Sequence, residues 1–189
     1  MLELIIHGRG GQGAKTAFNI LAKSSLISGK EVLAFPQYGP ERTGAPMKSF
    51  LKVDDKKVRS YQPIEKADIV LVIDDSLFDF VDIESDLKES GLLIVNTSNL
   101  EKVKKKVNVE NIYGIDATKI ALENVGLNKP NLPILGALVK VDSTFNLKNI
   151  VMTVREHFSS KIGKELTEKN VAAIQESYMK TNSGDKNDK

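Results

Sequence analysis

The sequence predicts a single-domain α/β protein, with one open, mostly parallel but mixed sheet and helices on both faces. Three observations carry that expectation. Short apolar runs of strand length recur near residues 2–6, 31–35, 69–73, 92–95 and 112–116. Segments of helical period lie between and after them, and alternation on this scale builds an open α/β sheet. A glycine-dense turn, Rossmann-like in its place, joins the first strand to the first helix. At 189 residues the chain has enough length for one well-formed core. The expected domain is 1–180, with a polar, disordered tail at 181–189.

Leu2, Leu4, Ile5 and Ile6 form an apolar run broken only by Glu3, which suits a strand covered on both faces. Gly8-Arg9-Gly10-Gly11-Gln12-Gly13 follows, four glycines in six residues. Ala14, Ala17, Phe18, Leu21, Ala22 and Ser25 then recur at helical spacing, and Ser28-Gly29 supplies a stop. Glycines allow positive φ and let a ligand approach the main chain. A helix beginning there aims unpaired N–H groups and its positive dipole end at whatever lies above the turn. A phosphate suits such a place; a tight strand-to-helix connection without a ligand is the alternative.

Two nucleotide motifs can be tested against this turn. Gly8, Gly10 and Gly13 have the dinucleotide spacing, but that motif wants an acidic residue at the end of the second strand. The second strand, 31–35, runs into Phe35-Pro36-Gln37, and Glu31 stands at its start. A P-loop needs lysine directly after its last glycine, whereas Ala14 precedes Lys15-Thr16 here. Neither a stand-alone NAD(P) enzyme nor a conventional ATPase fits well.

Two glycines and three prolines between 36 and 46 predict a shaped loop. Residues 47–53 alternate as a strand, 54–57 read as a turn, and Val58 as the start of a short return strand, a hairpin that would make the sheet mixed. Ile69-Val70-Leu71-Val72-Ile73 is the strongest strand signal and leads into Asp74-Asp75. Residues 76–90 read as partly helical through Leu77, Phe80, Val81 and Leu87. A strand at 92–95 ends in Asn96-Thr97-Ser98, and the lysine-rich segment 101–106 reads as a solvated helix face. A short strand at 112–116, a helix at 117–125, a stiff loop at 128–133, a helix from 134 and two apolar-striped helical segments complete the chain. In such a sheet, ligands gather beyond the C-terminal strand ends. The glycine turn, the 37–46 loop, Asp74-Asp75 and Asn96-Thr97-Ser98 should therefore share one edge.

Composition narrows the chemistry. Apolar residues are 41%, charged residues 28% and net charge +2, ordinary for a folded domain and without the basic field of a nucleic-acid binder. Cysteine is absent, which removes disulfides and thiolate-held clusters. His7 and His157 are the only histidines. No run approaches a membrane span and the N-terminus opens in a strand, so the expectation is cytoplasmic. No nucleophile–base set stands out. His7 suits a structural role, Asp74-Asp75 suits a helix cap more than a Mg²⁺ site, and Lys15 suits solvent. Arg42, in a proline-stiffened loop, could face a carboxylate or phosphate, or form an ion pair. The residues suggest a chain that binds an anion and needs partners for chemistry.

The glycine turn together with Tyr38-Gly39-Pro40-Glu41-Arg42-Thr43-Gly44-Ala45-Pro46 resembles the gamma subunit of 2-oxoacid:ferredoxin oxidoreductases, over residues 1–140. The Glu41-Arg42-Thr43-Gly44-Ala45-Pro46 form is more similar to pyruvate enzymes than to 2-oxoglutarate enzymes. The resemblance implies a multi-subunit enzyme that decarboxylates a 2-oxoacid on thiamine diphosphate and Mg, held by alpha- and beta-type subunits. Electrons then leave through [4Fe–4S] clusters on companion chains, delta-type included, to ferredoxin, and coenzyme A takes the acyl group. This chain would hold no catalytic residue and no metal of its own. It would help form the coenzyme A region through Gly8, Gly10, Gly11, Gln12, Gly13, Tyr38 and Arg42. Alternatives are a gamma subunit for 2-oxoisovalerate, 2-oxoglutarate or indolepyruvate, an NAD(P)-binding oxidoreductase, and a subunit-bridging domain whose turn packs on a neighbour.

Overall fold

The computed structural model describes residues 1–37, 44–59 and 62–181. Its elements run β1 (Leu2–Arg9), α1 (Ala14–Ile27), β2 (Glu31–Gln37), β3 (Pro46–Asp54), β4 (Ala67–Val72), β5 (Leu87–Asn96), α2 (Leu100–Lys104), β6 (Ile112–Ile115), α3 (Ala117–Val125), α4 (Pro133–Val141), α5 (Leu147–Ile162) and α6 (Lys164–Lys180). The six strands form one sheet in the order β2-β3-β1-β4-β5-β6. β1, β4, β5 and β6 are mutually parallel, while β3 runs antiparallel to both β1 and β2.

Alternation along the strands feeds two cores. Leu4 and Ile6 join Leu51, Ile69 and Leu71 on one face, where α1 and α3 to α6 supply the cover. Ile5 joins Val70, Val72, Leu93 and Val95 on the other. That second face is covered mainly by two 3-10 turns, Asp75–Asp79 and Glu84–Asp86, and by the short α2. Cover is present on both faces but uneven.

Short polar side chains start several elements by accepting the backbone N–H that a helix leaves unpaired. Asp74 caps the first 3-10 turn through the Ser76 N–H. Asn99, Asp116 and Asn146 cap α2, α3 and α5. Gly126, in the left-handed region, closes α3. The α4 helix starts on Pro133, where a missing N–H costs nothing. Among the described residues no helix is long and apolar enough to cross a membrane.

Two expectations need correction. The sheet is mixed, but the hairpin responsible is β2–β3, with Glu31 opposite Asp54 and Gln37 opposite Lys48. No return strand starts at Val58. Its neighbours two positions away are Lys56 and Ser60, so no apolar face exists there to bury. Residues 76–90 form 3-10 turns followed by β5, which begins at Leu87 rather than 92. Leu77 is buried while Phe80 is 72% exposed, so the apolar residues do not share a helix face. Asp86 is drawn inward, its carboxylate 2.6 Å from Lys48 Nζ and 2.8 Å from Nε2 of the buried His7. The His7 contact lies off the line of a good hydrogen bond and acts as an electrostatic one. His7 and Lys48 are cross-strand neighbours, so this cluster is structural. At the other end Thr181 is buried and bonds to the Ser177 carbonyl, closing α6. The remainder of the expected tail, 182–189, lies outside the described residues.

The α4 and α6 helices touch through Gly136, where an added Cβ would fall 2.1 Å from the Ile174 carbonyl oxygen and 2.8 Å from the Tyr178 nitrogen. Backbone cannot yield as a flexible side chain does. Gly136→Ala should lower stability by about 1–3 kcal/mol or more, the range for overpacking, read as the thermal or urea midpoint of the purified chain.

Candidate functional site

The β1 strand ends at Arg9, and residues 10–13 turn directly into α1. Each glycine of that turn has a specific environment. At Gly8 an added Cβ would lie 3.0 Å from Ala14 Cβ, so its absence lets α1 return tightly over the strand. Gly13 takes φ 81° as the first cap of α1, and its carbonyl accepts from Thr16 N, Ala17 N and Asn131 Nδ2. Gly11 takes φ 90°, and its carbonyl accepts from Lys129 Nζ at 3.0 Å. Gly10 donates to the Ala45 carbonyl at 2.9 Å and accepts from Gly44 N at 3.0 Å, prolonging the β1–β3 pairing past both strands. The turn is thus fastened to the end of the 37–46 loop on one side and to the 128–133 loop on the other.

The side chains of the turn converge on Asp74, at the C-terminal end of β4. Gln12 Oε1 accepts from Arg9 N at 2.9 Å while its Nε2 donates to Asp74 Oδ2. Arg9 Nε reaches Asp74 at 3.2 Å, Nη2 donates to Ser76 Oγ at 2.8 Å, and Nη1 to the Gly44 carbonyl at 3.0 Å. Ser76 N and Oγ complete the set on Asp74 Oδ1. Burial pushes the Asp74 carboxyl up, but hydrogen bonds from Ser76 and Gln12 and the Arg9 charge outweigh it, and its pKa lies below the ordinary value.

This cluster occupies the topological switch point. The connection from β1 leads toward β2 on one side, and that from β4 leads to β5 on the other. Open α/β sheets commonly take ligands in that crevice, yet here it is bridged by the chain's own groups. The open volume lies one strand further along, a cleft of about 440 Å³ walled by Gln12, Asp74, Asp75, Asn96, Thr97, Ser98, Asp116, Thr118, Lys119, Leu122, Asn128 and Pro130. Asn96 braces it, donating to the Ile73 carbonyl and Thr118 Oγ1 and accepting from Thr118 N. Thr97 Oγ1 donates to Asp75 Oδ2 at 2.6 Å. These walls offer hydroxyl, amide, carboxylate and one ammonium group, without a nucleophile–base pair. They can bind and orient a polar group; bond-making chemistry would need groups from elsewhere. Among the described residues no three His, Cys, Asp or Glu side chains are placed to hold a metal ion. The α1 helix has neither a side-chain cap nor an acidic residue in its first turn, so its dipole is left uncompensated there.

The structure brings Gly8, Gly10, Gly11, Gln12 and Gly13 together with Asp74, Asp75, Asn96 and Thr97 at one sheet edge, as the strand ends suggested. Tyr38 and Arg42 lie outside the described residues, although the neighbouring Gly44 and Ala45 are tied to Gly10. Lys15 faces solvent. The sequence reading missed the bracing role of Arg9 and the far wall of the cleft. Asp116 and Thr118 follow β6 and were findable by the same strand-end rule. Lys129 and Asn131 reach the turn from 118 residues away and carry no local signal.

A family model described as Pyruvate ferredoxin/flavodoxin oxidoreductase matches residues 3–179. The common subunit gamma of the pyruvate/ketoisovalerate oxidoreductases of Pyrococcus furiosus is 45% identical over 186 residues, covering 96% of this chain and 97% of its own. The crystal structure of pyruvate oxidoreductase subunit PORC of Thermotoga maritima superposes with a TM-score of 0.84 at 39% identity, over 96% of this chain and 97% of that one. A 2-oxoglutarate:ferredoxin oxidoreductase chain of Magnetococcus marinus shares the fold at TM-score 0.76 and 16% identity, over 94% of this chain but 30% of its own length.

An added Cβ at Gly13 would sit 2.7 Å from Asn131 Nδ2. Gly13→Ala should therefore cost about 1–3 kcal/mol, combining backbone strain with the clash. Asn131→Ala in the same chain should return the clash part only, giving a non-additive double-mutant cycle in urea unfolding.

The pKa of Asp86, like that of Asp74, is lowered: burial raises it, but the close contacts with His7 and Lys48 prevail. Carboxyls depressed on folding add stability that is complete above the ordinary value of 3.8 and lost as pH falls through the lower folded values. Urea midpoints should therefore drop below about pH 4. Asp74→Asn should cost about 1–3 kcal/mol near neutrality and approach wild type in acid.

Proposed function

Because this chain belongs to the pyruvate ferredoxin/flavodoxin oxidoreductase family, we propose that it is the gamma subunit of a multi-subunit pyruvate:ferredoxin oxidoreductase. The assembly oxidatively decarboxylates pyruvate with coenzyme A, yielding acetyl-CoA and CO₂ and reducing ferredoxin. The observation that carries this reading is the end-to-end match at 45% identity to a chain that is itself a gamma subunit.

The division of labour follows from the residues present. With no cysteine, the chain offers no thiolate to a [4Fe–4S] cluster, which fits companion, delta-type chains instead. Thiamine diphosphate and its Mg fall to alpha- and beta-type subunits, as the resemblance implies. This chain's share is binding and assembly. The uncapped start of α1 and the polar cleft, together with Tyr38 and Arg42, would serve the phosphate-bearing coenzyme A once partners complete the site. Gln12 contributes as part of the cleft wall, its amide being engaged with Arg9 N and Asp74.

A second reading has one specific observation in its favour: the Pyrococcus relative is common to pyruvate and ketoisovalerate oxidoreductases. This chain would then serve a branched 2-oxoacid as well.

The test is purification of the tagged chain with its companion subunits and assay of ferredoxin reduction with several 2-oxoacids. Pyruvate- and coenzyme A-dependent reduction by the assembly, and none by the lone chain, is expected. Turnover of 2-oxoisovalerate by a second assembly containing the same chain would bear out the shared role. Oxidation of a substrate by the lone chain would overturn the proposal.

A further inference from the structure

Two side chains of the loop between α3 and α4 grip the glycine turn. Lys129 Nζ donates to the Gly11 carbonyl at 3.0 Å and Asn131 Nδ2 to the Gly13 carbonyl at 3.2 Å. Gly11 and Gly13 both sit at positive φ, and glycine backbone has the widest choice of alternative shapes. The two gripped carbonyls stand on either side of Gln12. The Gly11 carbonyl shares its peptide plane with the Gln12 N–H, which donates to the Arg9 carbonyl at 3.1 Å. Holding both ends of a planar peptide fixes the direction in which the next side chain leaves, and the Gln12 side chain is a wall of the cleft. Asn128 and Pro130, alternating with the two gripping residues, line the same cleft. The grip has a firm base. The chain is buried from Pro130 to Leu138, Ile134 N donates to the Pro130 carbonyl, and Pro130 and Pro133 remove backbone freedom.

We propose that Lys129 and Asn131 are positioning residues for coenzyme A. They hold the turn rather than the ligand, and by fixing Gln12 relative to Asn128 and Pro130 they set the width of the cleft. The proposal rests on the reading that turn and cleft serve coenzyme A, and adds the distant residues that keep them in shape. A site shaped before its ligand arrives gives up less freedom on binding. The grip therefore acts on the use of coenzyme A and not on that of pyruvate, which reacts on thiamine diphosphate in other subunits.

The experiment uses the full chain assembled with its companion subunits, and follows ferredoxin reduction while coenzyme A and pyruvate are varied in turn. Asn131→Ala should raise KM for coenzyme A about three- to tenfold, what one neutral hydrogen bond is worth, with KM for pyruvate unchanged. Asn131 carries no charge, so that rise cannot come from a lost electrostatic field. Lys129→Met should act in the same direction, and Lys129→Arg, which keeps a donor, should restore the wild-type value. Lys129 is exposed, so this pair decides the matter if Asn131→Ala does not assemble. Val154→Ala, at a fully buried position on α5, weakens the core by a cavity and should leave KM for coenzyme A unchanged. An unaltered KM for coenzyme A in Asn131→Ala and Lys129→Met, an equal rise in Val154→Ala, or an equal rise for pyruvate overturns the positioning role while leaving the subunit reading intact. Absence of coenzyme A-dependent ferredoxin reduction by the wild-type assembly overturns the reading, and the positioning role with it.

Discussion

One carboxylate organises the functional edge of this molecule. Asp74 receives Gln12 and Arg9 from the end of β1 and Ser76 from its own turn, so it locks the two central parallel strands where they would otherwise part. The cluster is only partly exposed, and charge-assisted hydrogen bonds of this kind are among the stronger ones. The same Arg9 donates to the Gly44 carbonyl and lies 5.5 Å from the Phe80 ring centre. Through Gln12 it contributes a wall of the cleft.

That arrangement revises what the glycines are for. Two of them answer packing and close approach: Gly8 to Ala14 and Gly13 to Asn131. Gly11 and Gly13 hold positive φ, which side-chain-bearing residues rarely adopt. Density of glycine at a strand-to-helix turn therefore does not by itself report a ligand. What remains in favour of an anion is the uncompensated start of α1 and the adjoining open cleft. The dinucleotide reading fails for a further reason, since β3 stands between β1 and β2 and removes the second strand end from the turn's neighbourhood.

The uneven cover of the sheet fits a protein that works in company. Five helices close one face, whereas irregular turns and a short helix close the other. The residues of that thinner layer combine apolar burial at Leu77, Ile83 and Val103 with ionic anchors such as Asp86 with Lys48. Such anchoring keeps a segment in place without requiring it to be helical.

Sequence alone determined the α/β class, the five apolar runs that became β1, β2, β4, β5 and β6, the bounds of α3, the gathering of strand ends at one edge, and the absence of thiolate chemistry. These follow from periodicity, strand length and composition, which act within a few residues. Only the tertiary structure decided which hairpin makes the sheet mixed, that Asp75–Asp79 and Glu84–Asp86 are 3-10 turns, and that the switch point is bridged by Arg9, Gln12 and Asp74. The same holds for Lys129 and Asn131 at the turn. At the switch point and the turn the outcome depends on which distant groups compete for one donor or one small space, and that competition exists only once the chain has brought residues 60 or more positions apart into contact.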